Sequence, residues 1–157
     1  MEGAAGLLAW LHESPLGQAM RGTLWMYPIV EIVHISGFAV LVGSVTMFDL
    51  RILGFARSIP VRALGRHLLP WAVASLALIV PAGLMMFSAH PHDFIANPVF
   101  LLKLALIAVA GVNAAIFHAG VYRGVLAWDV RLAAPPLARV HALASIVLWI
   151  AIISCGR

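Results

Sequence analysis

The sequence predicts an all-α integral membrane protein: a four-helix bundle preceded by a short amphipathic helix on the membrane surface. Three observations lead there. Hydrophobic residues fill 63% of the 157 positions and charged residues only 10%, whereas a soluble domain carries about 25% charged residues. The mean hydropathy is +1.02. Four apolar stretches, at about 24–48, 67–89, 99–119 and 138–155, approach or exceed the length that crosses about 30 Å of hydrocarbon at about 1.5 Å per residue.

The elements follow in chain order. Leu7, Leu8, Trp10 and Leu11 give residues 3–13 an apolar face, which predicts a helix lying on the outer surface. Ser14-Pro15 reads as a new helix start, with a capping hydroxyl followed by proline at the first helical position. Pro28 and Pro70 fall near the starts of their spans, where proline costs little. Pro81 lies deep in span two and predicts a kink. His90-Pro91-His92-Asp93 belongs to the loop between spans two and three, and Asn97-Pro98 opens span three. Ala134-Pro135-Pro136 punctuates the chain before span four. One membrane domain over 1–157 results, with no second domain.

Charge orients the bundle. Let side A be the face where span one begins and side B the other. Side B carries Arg51, Arg57, Arg62, Arg66, Arg123, Arg131 and Arg139, while side A carries only Arg21, Lys103 and Arg157. The positive-inside bias predicts that side B is cytoplasmic and both termini lie outside. In a bacterium this places a multi-pass protein in the inner membrane with its termini in the periplasm. The net charge of +4 is therefore a topology signal and not a nucleic-acid footprint.

Several chemistries find no support. Cys155 is the only cysteine, so neither an intramolecular disulfide nor a cysteine cluster is available. The chain has no CxxCH, P-loop or GxGxxG motif and no Ser/His/Asp arrangement, and its first 20 residues lack the order of a cleavable signal peptide.

The histidines carry the functional signal. Each span holds one (His34, His67, His118 and His141), and three more (His12, His90 and His92) fall in side-A segments. A histidine in hydrocarbon is costly unless it faces protein, a cavity or a ligand. His67 follows Arg66 and is equally readable as an interfacial residue. Small or polar residues accompany the others: Gly37 and Ser44 beyond His34, and Gly111, Asn113 and Ala114 before His118. They leave room for a flat cofactor, and they suit close helix packing equally well. Two imidazoles on separate helices make the six-coordinate site of a b-type haem. Counting along the spans puts His67, His118 and His141 in one layer and His34 about 10 Å farther toward side A.

Glu31 lies one turn from His34, on the side-A side. It is readable as a hydrogen-bond acceptor that fixes the His34 tautomer, as a protonatable relay, or as a packing partner for Lys103 or Asn113. A di-iron site needs further glutamates in the bundle, and they are absent. Asp49 and Arg51 are expected to form a solvated pair. Soft copper ligation is the weaker alternative, from Met20, Met26, Met47, Met85 and Met86 with the loop residues His90, His92 and Asp93.

The segments LWMYPIVEIVHISGFAVLVGSVTMFDLRILG, HLLPWAVASLALIVPAGLMMFSAH, NPVFLLKLALIAVAGVNAAIFHAG and SIVLWIAIISCGR resemble an uncharacterised family of bacterial four-span membrane proteins. More distantly, the layout resembles the four-helix bis-histidine membrane cytochromes b. That resemblance implies haem ligands on alternate helices, His34 with His118 and His67 with His141. The first pairing conflicts with the depth count, and both pairings stay open at this point.

The expected function is a b-type cytochrome-like electron carrier with one or two haems b, a redox subunit more than a stand-alone enzyme. Its electrons would pass to or from a quinone or an outer-side redox protein. Two alternatives are a cofactor-free protein that binds or transports a metal or small solute, and an accessory subunit of a larger membrane complex or homo-oligomer.

Overall fold

The computed structural model describes residues 2–130 and 132–156. Arg131 and Arg157, which contribute to the charge bias, lie outside them. The described residues form helices and no strand. Helix α1 covers Glu2–Glu13 and α2 covers Pro15–Gly22. Ser14 caps α2 as its sequence predicts, its Oγ accepting from the Gly17 amide at 3.1 Å. The four long helices are α3 (Met26–Leu53), α4 (Val61–Ala89), α6 (Pro98–Ala119) and α7 (Pro136–Ser154), with α5 (Pro91–Ala96) between α4 and α6. These four are long and apolar enough to cross a membrane.

Two boundaries differ from the sequence expectation. Helix α3 continues five residues past position 48, to a left-handed cap at Gly54 (φ 112°), a conformation that glycine adopts without Cβ strain. Helix α4 starts at Val61, six residues before the predicted span, so Arg62 and Arg66 belong to a helix and not to a loop. Pro70 is consequently interior, and α4 runs unbroken through both Pro70 and Pro81. The side-B loop after α6 contains a 3-10 helix, Val121–Ala127, which no motif announced.

The helices stand in the order α4, α3, α7, α6. Helix α3 lies against α4 and α7, and α6 lies against α7. Among the described residues no Cα of α6 comes within 8 Å of one in α3 or α4. The α3–α4 seam is close because of Gly37: a Cβ there would sit 2.9 Å from Ile79 Cγ1 and 3.3 Å from the Ser75 carbonyl oxygen. At side A, Phe87, Phe94 and Phe100 join α4, α5 and α6, with ring centroids 5.0–6.2 Å apart. At side B a core of Phe48, Ile52, Val61, Phe117, Val125, Trp128 and Ala138 closes the other end.

Arg51 fastens the side-B loops. It is 2% exposed, and its guanidinium donates to the carbonyls of Arg57, Ile59 and Asp129. The Asp129 side chain in turn accepts from the Arg62 amide at 2.7 Å, capping the first turn of α4. The expected solvated pair of Asp49 and Arg51 is not formed. Both are buried, and two residues apart on a helix they point in different directions. The Oδ2 atom of Asp49 has no hydrogen-bond partner among the described residues.

Candidate functional site

The site is best built from the imidazoles of the long helices. On α3, Nδ1 of His34 lies 2.9 Å from the carbonyl oxygen of Ile79 on α4. A carbonyl only accepts, so Nδ1 carries the hydrogen. Gly83 makes this approach possible: a Cβ there would lie 3.2 Å from His34 Cε1. Glu31 does not orient this ring; it is exposed, and Ile79 occupies the position proposed for it. It is bonded to neither Lys103 nor Asn113.

On α7, Nδ1 of His141 lies 2.7 Å from Asn113 Oδ1 on α6. The Asn113 amide nitrogen donates back to the His141 carbonyl at 3.1 Å, which settles which amide atom faces the ring. Nδ1 of His141 is again the donor. On α6, Nδ1 of His118 donates to the Ala114 carbonyl one turn earlier, at 2.8 Å. All three half-buried rings thus share one tautomer, with the Nε2 lone pair left over.

The fourth intramembrane histidine differs. His67 is exposed, like Trp71 one turn on, and makes no hydrogen bond among the described residues. This is the interfacial arrangement open to a histidine beside Arg66.

Aromatic contacts fix the depths. The Phe117 ring touches both His118 (centroids 5.1 Å) and His141 (6.1 Å), and Tyr122 lies 5.1 Å from His118. His118 and His141 therefore belong to one layer near side B. Phe48 of α3 meets Phe117 at 6.1 Å. His34 is fourteen residues before Phe48, so it lies about 21 Å farther toward side A. This is about twice the separation that counting along the spans predicts, because α3 reaches deeper into side B than its apolar stretch. His34 and His118 are thus too far apart in depth to share one iron.

The small residues divide into two kinds. Gly37 is buried in the α3–α4 seam, and its absent side chain serves helix packing. Beyond its chain neighbours and its own helix backbone, no atom of the described residues lies within 4 Å of where a Gly111 Cβ would be, and Ala114 beside it is exposed. Asn113 and Ala114 touch the histidines directly, Asn113 through its side chain and Ala114 through its carbonyl.

The loop residues His90 and Asp93 approach to 3.7 Å with both side chains largely exposed, and His92 is exposed beside them. Among the described residues no three His, Cys, Asp or Glu side chains come together as a metal-holding group. Sequence reasoning placed Arg51 in a solvated pair and missed its hold on the Arg57, Ile59 and Asp129 carbonyls; it also missed the Ile79 carbonyl, because backbone acceptors leave no residue-type signal.

Residues 7–157 match the model of a family of unknown function, DUF6644, and the chain belongs to that family. No curated protein and no solved structure matches it.

Proposed function

We propose that this member of the family is a membrane electron carrier of the b-type cytochrome kind, with one haem b held in the side-B layer by His141 and His118. The observation that carries the reading is the shared tautomer. Each of these rings donates Nδ1–H to an oxygen, the arrangement by which proteins orient a metal-ligating histidine and raise its basicity while leaving Nε2 to the metal.

When bound, haem supplies one-electron exchange at its iron. The chain's own residues do the rest. Asn113 locks the plane of His141, and the Ala114 carbonyl locks His118. Phe48, Phe117 and Tyr122 line the layer with apolar ring faces that exclude water. One haem fits better than two, because His34 has no second imidazole at its depth among the described residues. In this reading side B faces the cytoplasm of a bacterial inner membrane.

The test is the absorption spectrum of the purified protein, oxidised and then reduced with dithionite. A Soret band that shifts on reduction, with sharpened bands in the visible, supports the reading. A featureless spectrum from protein expressed with ample haem refutes it.

A further inference from the structure

The Phe48–Phe117 contact sets the register of α3 against α6, two helices that run in the same direction. Counting back by sevens from Phe48 gives Leu41 and His34, and from Phe117 it gives Ala110 and Lys103. Residues seven apart stay on nearly one helix face, drifting by about 20° per step. Phe48, Leu41, Phe117 and Ala110 are all buried, so these are the two inward stripes. His34 and Lys103, both partly buried, end those stripes at about the same depth.

Each brings an unmet polar group. His34 commits Nδ1 to Ile79 and keeps the Nε2 lone pair, an acceptor. The Lys103 ammonium, a donor, has no hydrogen-bond or ion-pair partner among the described residues. A donor and an acceptor left over at one depth in hydrocarbon call for an occupant that satisfies both.

Depth selects the occupant. His34 lies eight residues into α3, about 12 Å below the start of the helix. A lipid phosphate or a water-soluble anion belongs at a shallower level. The occupant has to dissolve in the bilayer and still carry both an acceptor and a donor on one compact head. The reduced, hydroquinone form of a membrane quinone fits: one hydroxyl donates to the imidazole nitrogen, and the other accepts from the ammonium.

The α4–α6 edge is the open side of the bundle. The side-A aromatic cluster and the approach of Tyr122 to Gly65 at side B close only the ends of the α4–α6 edge. Between them Val73, Leu76 and Val80 of α4 and Leu104 and Ile107 of α6 are exposed, and the helix backbones stand apart. We propose that His34 and Lys103 form a binding site for the headgroup of a membrane quinol, which enters sideways between α4 and α6. The quinol's role as electron partner rests on the cytochrome reading; the binding site does not.

The experiment is calorimetric titration of the purified full chain in lipid nanodiscs with decylubiquinol under argon, and separately with decanoate. Saturable decylubiquinol binding that weakens at least tenfold in Lys103→Met, and likewise in His34→Gln, supports the site. Lys103 has no polar partner among the described residues, so Lys103→Met is expected to leave the fold intact even where His34→Gln loosens the α3–α4 seam. Absence of saturable binding, equal affinity in Lys103→Met, or tighter binding of decanoate overturns it. The absorption spectrum of the same sample reads haem independently, so a failure of either idea is recognised by itself.

Discussion

His141 and Asn113 hold each other by two hydrogen bonds, ring Nδ1 to amide Oδ1 at 2.7 Å and amide Nδ2 to the histidine carbonyl at 3.1 Å. The pair bridges α6 and α7 in the middle of otherwise apolar surfaces. It fixes helix register, ring plane and tautomer together. Replacing Asn113 by Leu leaves the ring N–H unpaired in the bilayer interior, at a cost of about 1–3 kcal/mol. If His141 ligates iron, the same change lowers haem affinity about 10–100-fold. Haem retained per polypeptide after gel filtration measures it, and Asn113→Asp, which keeps the acceptor, restores most of the loss.

Arg51 neutralises three loop carbonyls and no carboxylate. Arg51→Leu strips those oxygens of their donor and is expected to destabilise the side-B end by about 3 kcal/mol. Limited proteolysis after Arg57 should accelerate accordingly. Asp49→Asn, by contrast, is expected to leave the thermal midpoint in detergent unchanged or raised, since Oδ2 has no partner to lose. A fall as large as that of Arg51→Leu would contradict this expectation.

Gly37 admits no side chain larger than hydrogen without moving α4. Gly37→Val drives methyl groups into Ile79, Leu78 and the Ser75 backbone, and overpacking of this kind costs about 1–3 kcal/mol. Gly111→Ala meets open space and is expected to be neutral. Thermal unfolding of the two variants side by side checks the contrast.

Tyr122 outside the spans has its phenol pKa raised, first by burial and then by the negative charge of Asp129. The sign follows from linkage. Above the ordinary tyrosine pKa of about 10 the unfolded chain releases this proton first, so stability present at neutral pH is lost as pH rises. Tyr122→Phe removes that contribution, and its stability curve should be flatter between about pH 9 and 11. Denaturation midpoints across this range provide the measurement.

The elements were legible because hydropathy and caps are local. Ser14-Pro15, Asn97-Pro98 and Pro135-Pro136 marked helix starts, and each begins a helix where the residues indicated. Depth was less legible. Helix α3 carries Asp49 and Arg51 into a buried layer, and an apolar window stops short of them because it cannot know that Asp129 and Ile59 supply partners. The same limit applied to His34, whose partner is a backbone carbonyl forty-five residues away; Glu31, one turn along, was the visible candidate. Asn113 was flagged from its neighbourhood to His118, yet its side chain serves His141, a pairing set by how α6 and α7 dock.

The central claim is that the side-B imidazoles, and not the exposed one, grip iron. Haem per polypeptide, measured on purified His141→Ala, His118→Ala and His67→Ala proteins expressed alike, tests it most directly. The account predicts loss or a high-spin spectrum in the first two, partial recovery of His141→Ala with added imidazole, and an unchanged spectrum in the third. Full haem in His141→Ala, or loss confined to His67→Ala, would contradict it.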